Sequence, residues 1–106
     1  MIEYNVYVGI GGPTAQQTVD YCTELGGYAL GLDLPGFTAF TADGGWEPVG
    51  GEPVYEPVVV FRFILDLPAR QCTVPSAIRA FAEHAKHLFK QRAVLITQAE
   101  VDSWLI

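Results

Sequence analysis

VVVFRFIL, residues 58–65, is the stretch that decides the fold. It is β-branched and aromatic throughout, so it reads as a strand. Alternation puts Val59, Phe61, Phe63 and Leu65 on one face and Val58, Val60 and Ile64 around Arg62 on the other. A strand that is apolar on both faces belongs in the middle of a sheet, with something covering each side.

Other elements can be read outward from this strand. Residues 2–10 alternate, with Ile2, Tyr4, Val6, Val8 and Ile10 opposite Glu3, Asn5 and Tyr7. After Gly11-Gly12-Pro13, Thr14 and Gln17 have the spacing of a capping box. Ala15, Val19, Cys22 and Leu25 follow at helical spacing, and Gly26-Gly27 is expected to end that helix. Residues 28–36 then read as an irregular connection, and FTAFTA (37–42) as a second strand. The second helix is the clearest element. Ile78, Phe81, Ala82, Ala85, Leu88 and Phe89 form one stripe, Arg79, Glu83, Lys86 and Lys90 lie opposite, Thr73 is placed to cap it and Pro75 sits in its first turn. Phe81 and Leu88 are expected to be nearly fully buried. RAVLIT (92–97) reads as a last strand and 98–106 as an apolar C-terminal tail ending Trp104-Leu105-Ile106.

The order βαββαβ, with an apolar stripe on each helix, predicts one α+β domain over 1–106. It is a ferredoxin-like two-layer sandwich, a four-stranded sheet with two helices on one face. The helices cover one face only, so the Val58/Val60/Ile64 side is expected to meet a second subunit, the tail or a ligand, a homodimer being the favoured reading.

Composition bounds the function. The 106 residues are half hydrophobic and 17% charged, which suits a globular chain burying roughly 60–70% of its unfolded surface. No apolar run reaches membrane-spanning length, and the N-terminus reads as a strand rather than a signal peptide, so a cytoplasmic location is expected. Cys22 and Cys72 have no metal-ligand spacing and read as reduced thiols. The net charge of −6 is divided unevenly. Residues 1–61 hold eight acids and no Lys or Arg, whereas 62–106 hold six bases and four acids. Direct nucleic-acid binding needs a basic stripe that the first half lacks.

The acids cluster in WEPVGGEPVYEPV (46–58), where Glu-Pro-Val occurs three times. Gly50-Gly51 reads as a two-residue hairpin turn that would set Trp46 opposite Tyr55. Pro48 and Pro53 cannot donate to a ladder, so residues 43–57 are expected to project as a stiff acidic arm. Asp43, Glu47, Glu52 and Glu56 beside Trp46 and Tyr55 form a candidate partner-binding surface.

The strand VYVG, the run PGFTAFTADGGWEP with Glu56 after it, then VVVF and FKQRAVL, resemble a family of uncharacterised small bacterial α+β domains, a domain of unknown function. Its members carry a Pro-Gly-x-Thr, Gly-x-Trp, Glu pattern ahead of a strand. The likeness runs from about Val6 to Val94 and departs from the pattern in the proline-rich arm and at Pro57. It implies an α+β domain and lends no activity.

Chemical motifs are few. VGIGGPT (8–14) matches neither a dinucleotide fingerprint nor a P-loop and reads as a tight turn into a capped helix. His84 and His87 lack the further ligands a metal site needs, so no metal and no cofactor are expected. Glu3, Asn5, Tyr7 and Arg62 would share the sheet face away from the helices, with Thr97 or Gln98 in reach, as a possible pocket for an anionic ligand. Two readings follow. The first is a non-catalytic acidic protein that docks on a basic protein surface, inhibiting a nucleic-acid-handling complex by charge mimicry, as viral or mobile-element proteins do. The alternative is a small-molecule binder or enzyme using the Arg62 face.

Overall fold

The computed structural model describes residues 1–11, 14–47, 49–65 and 74–106, and of Trp46 the backbone only. Its order is β1 (Ile2–Gly9), α1 (Ala15–Gly31), β2 (Thr38–Trp46), β3 (Val54–Leu65), α2 (Val74–Leu88) and β4 (Leu95–Glu100). The strands form one antiparallel sheet in the order β2-β3-β1-β4, so β1 and β3 are the central neighbours expected from VVVFRFIL. This is the ferredoxin-like α+β arrangement. Thr73, Cys72, Pro13 and Pro48 lie outside the described residues. No helix among the described residues is long and apolar enough to cross a membrane.

The core lies between sheet and helices. Tyr4, Val6 and Val8 of β1 and Val59, Phe61, Phe63 and Leu65 of β3 face Leu25 and Ala29 of α1 and Val74, Ile78, Phe81, Ala82 and Ala85 of α2. Phe81 packs edge-on against Phe63 at 4.9 Å and Phe61 at 5.2 Å, and Phe37 closes the cluster. Leu88 departs from expectation. It is only half-buried, and its neighbour Phe89 is buried instead. One residue along a helix is a 100° turn. The roll that points Phe81 and Ala85 at the sheet therefore carries Phe89 inward and Leu88 to the rim.

The capping box forms as expected. Gln17 N–H donates to Thr14 Oγ1 at 3.2 Å, and Thr14 N–H donates to Gln17 Oε1 at 2.9 Å. The expected end at Gly26-Gly27 is corrected, because α1 continues to Gly31. Each helical glycine costs about 1 kcal/mol relative to Ala. Burial of Leu25 and Ala29 on either side of the pair, with Tyr28 stacked on His84 at 4.2 Å, offsets that cost. Exposed Val19, and Ala15 with it, leave the buried stripe, which runs instead through Tyr21, Cys22, Leu25 and Ala29. Burial pushes the Cys22 thiol up, keeping it protonated and unreactive near neutrality.

Both helices end in the same hydrogen-bonded motif. In α1, Leu34 N–H reaches Ala29 O and Asp33 N–H reaches Leu30 O; in α2, Gln91 N–H reaches Lys86 O and Lys90 N–H reaches His87 O. These are Schellman closures, with Asp33 (φ 62°) and Lys90 (φ 53°) in the left-handed position that glycine normally takes. Lys90→Gly is expected to stabilise the fold by about 0.5–1 kcal/mol. Thermal unfolding should then shift upward by a few degrees, about 4–8 °C per kcal/mol. A melting temperature at or below wild type would mean that the Lys90 stem is worth more than the backbone strain.

The arm is more regular than the prolines suggest. β2 and β3 stay paired from Thr38↔Arg62 to Trp46↔Val54, with Pro57 inside the ladder opposite Asp43. Ile10 N–H donates to Pro57 O at 2.8 Å, so that side of Pro57 faces β1 just past the last paired residue, where its missing N–H goes unused. The turn centres on Gly50 (φ 73°) within a seven-residue connection, 47–53, rather than a two-residue turn. Tyr55 therefore pairs with Gly45 and not, as expected, with Trp46.

Candidate functional site

Of the acidic arm, Asp43, Glu47 and Glu52 are exposed, and Tyr55 is 81% exposed while lying against the bare backbone of Gly45. Glu56 behaves differently. It is half-buried, and its carboxylate turns inward over the end of β1.

What it meets there is set by the end of α2. The Schellman closure places Gln91 beside Gly9 and Gly11, and Gln91 Nε2 donates to Phe89 O at 3.2 Å. With its amide nitrogen held back, Gln91 presents Oε1. A methyl group on Gly9 would stand 2.6 Å from Glu56 Oε1 and 2.9 Å from Gln91 Oε1. On Gly11 it would stand 3.5 Å from Glu56 Oε2 and 3.8 Å from Gln91 Nε2. Two acceptor oxygens thus converge over a glycine floor, and among the described residues Glu56 has no hydrogen bond or ion pair. Gly9 has to be glycine for both to come so close.

Clefts open on both sides of this point. One, of about 430 Å³, is lined by Gly11, Gln17, Tyr21, Leu88, Phe89 and the 90–91 turn. Its wall is stiffened by Tyr21 packed edge-on against Phe89 at 5.2 Å. The other, of about 530 Å³, runs along Asp43, Gly44, Gly45, Tyr55, Glu56 and Pro57. Each has the size of a small-molecule site. A carboxylate and an amide oxygen facing one spot can hold a cation or a multiple hydrogen-bond donor, and can take up a proton. They repel an anion.

The face with Glu3, Asn5, Tyr7 and Arg62 is assembled as the sequence suggested, Asn5 standing between Arg62 on β3 and Thr97 on β4. Gln98 pairs with Tyr4 and so takes the other face. Arg62 Nε donates to Asn5 Oδ1 at 2.9 Å and lies 3.3 Å from Glu3 Oε1, and Asn5 Nδ2 donates to Glu3 Oε2 at 3.1 Å. The guanidinium also covers the Phe40 ring at 5.1 Å. Glu3 and Asn5 thus engage Arg62 through its Nε–H and balance its charge, while the outer edge of the guanidinium stays partly exposed. Tyr7 sits one row away, beside Val60 and Leu95. His84 is stacked on Tyr28 and His87 is exposed.

Sequence reading took Gly9 and Gly11 as part of a tight turn, Gln17 as a cap partner and Gln91 only as part of FKQRAVL, and it passed over Tyr21; that VGIGG and FKQRAVL meet depends on the fold.

Solved structures share the fold of this chain. Phage SAM lyase in complex with S-methyl-5'-thioadenosine superposes with a TM-score of 0.74 at 20% identity, over 93% of this chain and 80% of that one. Its apo form gives 0.74 at 16%, over 92% and 78%. The periplasmic divalent cation tolerance protein CutA from Archaeoglobus fulgidus gives 0.58 at 11%, over 99% and 88%. At these identities the likeness establishes the fold. No family model matches the sequence, and no curated protein does.

Proposed function

We propose that this protein binds S-adenosylmethionine or a closely related adenosyl sulfonium at the Glu56–Gln91 site and acts on it as a lyase. The observation that carries the reading is the convergence of two acceptor oxygens, one of them anionic and unpaired among the described residues, over Gly9. A sulfonium is a fixed cation, and its methionine ammonium and adenine amine add hydrogen-bond donors. A carboxylate in a partly buried cleft recognises such a group strongly. The eight acids and absent bases of residues 1–61 draw a cation in the same sense. The phage SAM lyase offers a related fold on which such chemistry runs, an argument from analogy. The bond from sulfur to the methionine γ-carbon breaks with its electron pair left on sulfur, while the substrate's own carboxylate forms the new bond to that carbon, so that S-methyl-5'-thioadenosine and a lactone leave with no further reactant. The test is incubation of purified protein with S-adenosylmethionine, followed chromatographically for its loss and for S-methyl-5'-thioadenosine. Absence of both binding and turnover would refute the proposal. The protein is further proposed to work in the cytoplasm as a homodimer.

A second reading rests on a separate observation. Asp43, Glu47, Glu52 and Tyr55 are exposed at one end of the molecule, and among the described residues no cation pairs with these acids. An acidic arm with an aromatic anchor suits docking on a basic protein surface, as an inhibitor of a nucleic-acid-handling complex would require. Glu47→Lys with Glu52→Lys is expected to leave the fold intact and to slow association with such a partner, with the salt dependence largely lost. Binding kinetics over a range of ionic strength on a partner captured from the host check this. Wild-type association rates for the variant would reduce the arm to a turn.

A further inference from the structure

α2 lies over β1, and β4 forms the edge of the sheet beyond it. Ile96 pairs with the fully buried Val6 on the helix side, yet it is 39% exposed, because α2 stops short of β4. A cleft of about 390 Å³ lies there, between the flank of α2 and the segment 92–96 that leads into β4. Its size is at the small end of ligand sites. Arg79, Glu83 and Lys86 line one wall, three and four residues apart and so on one helix face, and Arg92 lines the other. Three of the chain's six Lys and Arg thus meet at one cleft of a protein whose net charge is −6. Among the described residues none of the three forms an ion pair, not even with Glu83 between them. Three cations against one carboxylate leave the lining at +2. Ala82, Val94 and Ile96 give the cleft an apolar floor.

We propose that this cleft binds a small phosphomonoester, its dianionic phosphate held by Arg79, Lys86 and Arg92 and its organic part laid on Ala82, Val94 and Ile96. The charge of the lining selects the headgroup. A dianion matches +2, whereas a single carboxylate leaves half of it unmet. Guanidinium groups from two walls suit the same choice, since the planar fork of N–H donors fits phosphate oxygens in pairs. The apolar floor selects an ester over free phosphate, because it offers area that only an organic group can cover. A polynucleotide would need a continuous basic stripe, and residues 1–61 supply no Lys or Arg to extend this one. Glu83 opposes the anion from the middle of the helix wall and so limits the affinity. The cleft and the Glu56–Gln91 site therefore sort ligands of opposite charge, and neither assignment depends on the other.

The test is a titration of nitrogen-15-labelled protein followed by amide chemical shifts, at constant low ionic strength and a pH of about 7.5, where a phosphomonoester is a dianion. The probes are phenyl phosphate, benzoate and inorganic phosphate. Phenyl phosphate is expected to shift residues 79–86 and 92–96, with half-saturation at about 1 mM or below. It should bind about fivefold or more tighter than benzoate, which has the same ring and one charge fewer, and about threefold or more tighter than inorganic phosphate, which has no ring. Arg79→Gln with Arg92→Gln should weaken it about 5–30-fold, and Glu83→Gln should tighten it about two- to threefold. All three side chains lie at the surface, so far-ultraviolet circular dichroism should be unchanged. The opposite signs separate recognition of charge from a structural effect. No saturable shift by about 10 mM would overturn the proposal, as would equal affinity for phenyl phosphate and either other probe, shifts centred on Arg62, or a double variant that binds like wild type. A short oligothymidylate that binds the same residues more tightly than phenyl phosphate would overturn it too, by making the cleft a polynucleotide site.

Discussion

Glu56→Gln is expected to weaken S-adenosylmethionine binding about 10–100-fold while changing the affinity for S-methyl-5'-thioadenosine less than about threefold. The substitution preserves shape and removes one charge. A hydrogen bond or contact to a charged group is worth about 1.5–3 kcal/mol, which is roughly one to two decades of affinity. The thioether lacks the sulfonium charge, so it should lose little. Gly9→Ala probes the same point from below. Its new methyl would stand 2.6 Å from Glu56 Oε1 and 2.9 Å from Gln91 Oε1, both at the ends of flexible side chains. These can swing aside, so the fold should survive while the two acceptors separate and sulfonium binding falls. Calorimetric titration of both ligands into wild type and both variants measures this. Equal losses for the two ligands would show that Glu56 reads something other than the sulfonium charge, and no loss for either would remove it from the site.

Phe81→Ala is expected to cost about 3–5 kcal/mol, at the upper end for a single truncation in this core. Phe81 is fully buried and touches the rings of Phe61, Phe63 and Phe37, so the alanine leaves a cavity where α2 joins the two-faced strand β3. Domains of this size have about 5–15 kcal/mol in total. The melting temperature should fall by about 12–40 °C, at roughly 4–8 °C per kcal/mol. Leu88→Ala is the comparison that separates the two adjacent readings of the helix face. Half-buried on the cleft rim, it should cost clearly less than Phe81→Ala. Equal costs would mean that α2 is rolled differently on the sheet.

Local chemistry wrote several features directly into the sequence. The Thr14/Gln17 capping box, the apolar stripe of α2 apart from Leu88, and the strand 58–65 at the centre of the sheet each depend on residues a few positions apart, and each formed as read. From their order the βαββαβ sandwich and its central β1–β3 pair followed. What went unread was decided by competition between local and long-range terms. Gly26-Gly27 looks like a helix end until Leu25 and Ala29 are seen buried around it. Leu88 and Phe89 are equally apolar, and only the roll of α2 against the sheet chooses between them. The seven-residue connection 47–53 set the register of Tyr55, which turn residues alone did not specify. The candidate site is the extreme case. Gly9, Glu56 and Gln91 are each ordinary where they stand in the chain. They meet because β1 pairs with β3 and because the Schellman end of α2 turns Gln91 back over the strand. Sequence by itself determined the elements, since their energetics are local. Tertiary structure alone brought two acceptor oxygens to one point, since that depends on contacts between residues tens of positions apart.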